Sequence, residues 1–279
     1  MPGYRPETWN PIVGCSKVSP GCDNCYAEKM AMRIPYMLEK SKSETYYAYS
    51  NVVNKQGWNG HTCLNTDHID NPLQWKSPRM IFVCSMSDLF HKNVPCNWIN
   101  QVMQVIRQCP QHLFIILTKR PEIIKDKMTG DFPENVWLGV TAENQEMANK
   151  RIPILLQIKA AKRFVSIEPM LGPIDFDEFN MMKETAVFIN ASRGEIINEQ
   201  ALIEALQNKK IFGAGLDVYE KGIVDSKNVL LKMSNVVTLP HIGSAVEKTR
   251  IDMAMLAAKN LVEALLGKVP ANMVPELKK

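Results

Sequence analysis

Met80-Ile-Phe-Val-Cys-Ser85, Leu113-Phe-Ile-Ile-Leu-Thr118, Val136-Trp-Leu-Gly-Val-Thr141 and Arg163-Phe-Val-Ser-Ile167 are four short apolar runs, and their reading decides the fold. None alternates between apolar and polar residues, so each predicts a strand buried on both faces. Helical spacing fills the gaps. Ile99, Val102, Met103, Val105 and Ile106 recur on one face of Trp98 to Gln108; Arg120 to Met128 reads as a short helix and Asn144 to Ile158 as a longer one. Strands alternating with helices at intervals of roughly 25 to 35 residues predict an α/β fold built on a parallel sheet, as a partial or complete (β/α) barrel.

Upstream, Tyr26 to Lys40 predicts a helix, and residues 41–79 read as a long irregular insertion broken by Pro72 and Pro78. Polar residues gather where the four strands end: Ser85, Ser87 and Asp88; Thr118, Lys119 and Arg120; Thr141, Glu143 and Asn144; Ser166 and Glu168. The carboxyl ends of parallel strands form the active face of such folds, so four successive clusters predict a site there. Any single member, such as Asp88 capping a turn, has a purely structural reading as well.

All seven cysteines fall within the first 109 of 279 residues, and three of them, Cys15, Cys22 and Cys25, follow a C-x6-C-x2-C pattern. Pro20-Gly21 predicts a turn that folds Cys22 back towards Cys15. The spacing suits three readings: a three-thiolate iron–sulfur cluster, a zinc site with a fourth ligand from His61, Cys63 or His68, or buried thiols that lie close by chance. An odd count without a secretion signal argues for reduced thiols and a cytoplasmic location. No apolar run spans a bilayer. A net charge of +4 permits a nucleic-acid partner without arguing for one. The expected partners are a small-molecule cofactor and a substrate.

Thr8-Trp9-Asn10-Pro11, Phe82-Val-Cys-Ser-Met-Ser-Asp-Leu-Phe-His91, Leu117-Thr-Lys-Arg-Pro121, Trp137-Leu-Gly-Val-Thr141 and Ser166-Ile-Glu-Pro-Met-Leu-Gly-Pro173 together resemble an uncharacterised phage-associated three-cysteine family, itself similar to radical S-adenosylmethionine (SAM) proteins. The resemblance covers about residues 4 to 177. It implies a 4Fe–4S cluster on Cys15, Cys22 and Cys25. It also implies SAM and substrate held by Ser85, Ser87, Asp88, Lys119, Thr141, Glu143, Ser166 and Glu168.

From about residue 180 the sequence changes character. Met181-Met-Lys-Glu-Thr-Ala-Val-Phe-Ile-Asn-Ala-Ser-Arg-Gly194, Gly213-Ala-Gly-Leu-Asp-Val-Tyr-Glu220 and Asn235-Val-Val-Thr-Leu-Pro-His-Ile-Gly-Ser-Ala245 resemble the C-terminal part of D-2-hydroxyacid dehydrogenases of the glyoxylate/hydroxypyruvate reductase type. That resemblance implies Arg193 as the substrate-carboxylate ligand, His241 as the proton donor and Asp217 on the nicotinamide side of an NAD(P) cofactor. Two of the family's features are absent: a glycine-rich phosphate loop, and a Glu-Pro after Asp-Val-Tyr-Glu220, where Lys221-Gly222-Ile223 stands instead.

The chain therefore reads as a chimera of residues 1–177 and 178–279. Glu184 to Asn190, Asn198 to Lys209 and Ile211 to Val218 predict a Rossmann-type β-α-β with the period to continue the first sheet. A long helix follows from Ala245 to Leu266, with Ser244 and Gly267 as start and stop signals. The sequence ranks a radical-SAM-like iron–sulfur protein first and a spliced scaffold without chemistry second. A dehydrogenase comes last, NAD(P) being disfavoured by the missing phosphate loop.

Overall fold

The computed structural model describes residues 4–172, 174, 182–222, 224–243, 245, 247–270 and 272. The protein is α/β and divides into two compact units, Met1–Asp175 and Phe176–Lys279. The expected boundary at 177–178, like Ser244, lies outside the described residues.

The first unit holds an open five-stranded parallel sheet whose strands follow one another in chain order. They are β1 (Arg5–Trp9), β2 (Arg79–Val83), β3 (Leu113–Thr118), β4 (Val136–Thr141) and β5 (Lys162–Ser166). Four of them are the runs read from sequence. The edge strand β1 has no apolar run to announce it; it pairs with β2 in the register Trp9↔Val83. Trp9 is its anchor, buried edge-on to Phe114 at 5.8 Å with its indole N–H donating to the His68 carbonyl at 2.7 Å. A residue of that size contributes about 3–5 kcal/mol where it fills a core.

The helix Cys96–Gln108 lays Ile99, Val102, Met103, Val105 and Ile106 into that core, as their spacing predicts. The helix Gln145–Gln157 begins at Asn144, whose side-chain oxygen accepts the Met147 N–H at 2.9 Å. The region expected to be irregular is more ordered than its sequence suggests. Ser43 caps a helix, Glu44–Val52, that packs against the helix Tyr26–Leu38 through Ala27, Ala31, Ala48, Tyr49 and Val52.

In the second unit, Val187–Asn190, Gly213–Leu216 and Val236–Thr238 form a parallel sheet of their own, with Asn190↔Leu216 and Leu216↔Thr238 in register. Asn198 caps the helix Glu199–Gln207 by accepting the Ala201 N–H at 3.0 Å. Leu202, Leu206, Ala214, Leu216, Tyr219 and Leu230 fill the core. Gly213 and Gly215 lie inside a strand, so they make no phosphate loop. The helix Glu247–Leu265 ends the described fold, and Gly267 stops it in a left-handed conformation (φ 70°).

Gly194 is fixed by contact. A Cβ there would lie 1.7 Å from the Tyr219 carbonyl oxygen, so the turn after the first strand of this unit presses directly on the chain leaving the second. Gly194→Ala therefore forces two backbone segments apart and should lower unfolding stability by about 2–3 kcal/mol, read from urea denaturation.

Candidate functional site

At the strand ends of the first unit the chemistry is dense and inward-looking. Asp88, buried, accepts the Phe90 N–H at 3.0 Å and the Thr118 hydroxyl at 2.7 Å on one oxygen. Its other oxygen accepts the Lys119 N–H and a guanidinium N–H of Arg120, each at 3.0 Å. The same guanidinium reaches the cysteine loop, donating to the Ser16 carbonyl at 2.6 Å and lying 3.8 Å from the Cys15 sulfur. His91, fully buried, stands 2.7 Å from the Ser16 hydroxyl, and its Nδ1 accepts the Asn93 N–H at 3.1 Å. That acceptor bond leaves the ring proton on Nε2, donated to Ser16.

Beside the Asp88–Arg120 ion pair, the His91 ring and the Cys15 thiol are held in their neutral forms. Burial, reinforced by Arg120, pushes His91 down to about 4. Burial pushes the Cys15 thiol up to about 11 against the opposing pull of Arg120. Through Arg120 and His91 the cluster fastens the cysteine loop to the sheet.

Ser85 donates to the Asn10 side chain and Ser87 to the Gly14 carbonyl, again tying down the N-terminal segment. Glu143 is fully buried against Arg151 at 2.7 Å, under Gly21. Burial pushes its carboxyl up, but the Ser19 hydroxyl and the Arg151 guanidinium outweigh that and hold it low. Thr141 offers its carbonyl to Arg151 at 2.8 Å. Lys119 and Ser166 are half-buried beside their strand ends, and Glu168 is exposed. His91 and Arg151 carry this unit's polar architecture yet were absent from the sequence-derived site; the Asp88-Leu-Phe-His91 motif was the one available signal.

The metal and SAM expectations are corrected here. Among the described residues no group of three or more His, Cys, Asp or Glu side chains could hold a metal ion. The thiols have separate surroundings instead: Cys15 lies 3.8 Å from the Arg120 guanidinium, Cys22 lies 3.9 Å from the Ser19 hydroxyl, and Cys25 precedes the helix Tyr26–Leu38. Neither a 4Fe–4S cluster nor zinc is supported, and nothing supports SAM.

The second unit presents a different edge. Its three strands end side by side, and the sequence-predicted residues follow those ends: Arg193 after Val187–Asn190, Asp217 after Gly213–Leu216, His241 after Val236–Thr238. Arg193 and His241 are exposed; His241 holds a left-handed backbone (φ 57°). Asp217 is 4% exposed and accepts the N–H groups of Ile242 and Gly243, both at 2.7 Å, which bends the chain just after His241. Asn190, 3% exposed, closes the turn before Arg193. Arg193 and His241 thus each stand exposed just beyond a strand end of the same sheet.

Comparison with known proteins assigns the two parts. A family model described as a protein of unknown function, DUF5131, matches residues 3–202. The NAD-binding domain of D-isomer specific 2-hydroxyacid dehydrogenases matches residues 171–243. Glyoxylate/hydroxypyruvate reductase B of Enterobacter sp. (strain 638) is 55% identical over 97 residues, and that of Salmonella newport is 52% identical over the same length. Those matches cover 35% of this chain and 30% of each relative. Among solved structures, a D-isomer specific 2-hydroxyacid dehydrogenase from Polaromonas is 28% identical with a TM-score of 0.37, covering 50% of this chain and 47% of that one. The NADPH-dependent glyoxylate/hydroxypyruvate reductase of Sinorhizobium meliloti is 22% identical with a TM-score of 0.29, over 60% and 46%. The family-model and sequence matches overturn the ranking drawn from sequence: the dehydrogenase relationship leads, its matched domain is described as NAD-binding, and none of these matches speaks for an iron–sulfur cluster or SAM.

Because His91 is held neutral, the unfolded chain takes up a proton that the folded one refuses between pH 6.5 and about 4. Stability should fall as pH drops through that window, and His91→Gln should flatten the fall, measured as urea midpoint against pH.

Proposed function

From a chain that belongs to the DUF5131 family of proteins of unknown function, we infer a catalytic role through its second unit: a nicotinamide-linked oxidoreductase that interconverts 2-oxo acids and 2-hydroxy acids. The observation that carries this reading is the 55% identity over 97 residues to a glyoxylate/hydroxypyruvate reductase, together with the NAD-binding-domain match over residues 171–243, a span that contains Arg193, Asp217 and His241. The matched relatives are glyoxylate/hydroxypyruvate reductases, so glyoxylate and hydroxypyruvate are the substrates to try.

The residues present suit the carboxylate and the oxo group of the substrate. Arg193 offers a planar, permanently charged fork for the substrate carboxylate. His241 donates a proton to the oxo oxygen as it becomes a hydroxyl and takes it back in the reverse direction. Asp217 fixes the backbone beside His241 through the Ile242 and Gly243 N–H groups. When bound, the cofactor supplies or accepts the hydride. No G-x-G-x-x-G segment stands in the chain to cradle a pyrophosphate, so affinity for the dinucleotide should be weak.

The test is NADPH oxidation on addition of glyoxylate. Turnover is expected, with Arg193→Ala lowering kcat/KM by about 10²- to 10³-fold. His241→Ala should lower kcat by about 10²- to 10⁴-fold. Absence of glyoxylate-dependent oxidation at saturating NADPH by the unaltered chain would overturn the reading.

A further inference from the structure

Arg193 reaches its task from an exposed turn. Its guanidinium bonds the carbonyl of its own neighbour, Ser192, at 2.7 Å. Where that guanidinium points is therefore set by the backbone of residues 190–193, and one side chain shapes that backbone. Asn190 donates its amide N–H to the Arg193 carbonyl at 3.0 Å and accepts the Ser192 N–H on its side-chain oxygen at 3.1 Å. Its own carbonyl accepts the Asp217 N–H at 2.9 Å, which ties the turn to the neighbouring strand end. The opposite side of the turn is closed by Gly194 against Tyr219.

We propose that Asn190 is the positioning residue of Arg193, setting the affinity of the site for the carboxylate of a 2-oxo acid; this rests on the reductase reading above. Asn190 is buried and ends a strand, so it acts through Arg193. The position needs a donor and an acceptor at once. Aspartate keeps the acceptor for Ser192 but turns an anionic oxygen towards the Arg193 carbonyl; alanine removes both bonds and leaves the part-buried Ser192 N–H and Arg193 carbonyl without that partner.

Three forms decide it: the unaltered chain, Asn190→Asp and Asn190→Ala. In the variants the KM for glyoxylate should rise at least about tenfold, as losing one such hydrogen bond implies. The kcat should stay within about threefold and the KM for NADPH should not move. Amide hydrogen exchange at Ser192 should quicken at least about tenfold while Ala214 and Leu216 keep their protection, which separates a loosened turn from a lost fold. An unchanged Ser192 rate, or a quickened one with an unchanged glyoxylate KM, would overturn the proposal. If the unaltered chain does not turn over glyoxylate, the reductase reading fails separately. Titration with oxamate, followed on the Arg193 guanidinium by NMR, then decides the proposal. Binding weakened about tenfold in Asn190→Ala sustains it; equal binding, or none by the unaltered chain, overturns it.

Discussion

A parallel strand delivers its chain to the carboxyl edge of the sheet with backbone groups still to be paired, and a short polar side chain buried at that point decides how the chain leaves. Asp88 does this in the first unit, taking two backbone N–H groups, a hydroxyl and a guanidinium at once. Asn190 and Asp217 do it in the second, holding the loops that carry the exposed Arg193 and His241. Removing one partner of a buried charge pair such as Asp88–Arg120 typically costs about 3–5 kcal/mol, because the other is left uncompensated. The loops at both edges are therefore as firmly specified as the strands beneath them.

The strands of the first sheet were legible because burial on both faces demands unbroken apolar runs, and Met80 to Ser85 or Leu113 to Thr118 have few other uses. The helix Glu44–Val52 was not. Its sequence, Glu-Thr-Tyr-Tyr-Ala-Tyr-Ser-Asn-Val, has aromatic and polar residues where a helical stripe would show, and Tyr49 and Val52 are placed by tertiary packing. Cysteine spacing misled for a related reason. A C-x2-C gap states that two sulfurs can meet; it does not state that they turn to one point. The Arg120 guanidinium, 105 residues away in the chain, decides where Cys15 looks. In the second unit Arg193, Asp217 and His241 were read as a set before any geometry, whereas Asn190 was not, because an asparagine ending a strand resembles any other turn residue until its two bonds are seen.

The two family matches overlap over residues 171–202, a span that includes the strand Val187–Asn190 and the turn to Gly194. The segment that carries Arg193 thus satisfies two sequence descriptions at once. A β-strand followed by a capped helix is a shared currency of parallel α/β folds, and the Asn198 cap and the apolar face of Leu202 and Leu206 meet that common demand without belonging to either chemistry.

The high proton affinity of Cys15 has a meaning for the loop beyond its geometry. Alkylating agents, peroxides and disulfides are attacked by thiolate, not thiol. With its thiol near 11, Cys15 presents about one ionised sulfur in ten thousand at pH 7. At Cys15, then, the burial that fastens the loop to the sheet also holds the sulfur as the unreactive thiol.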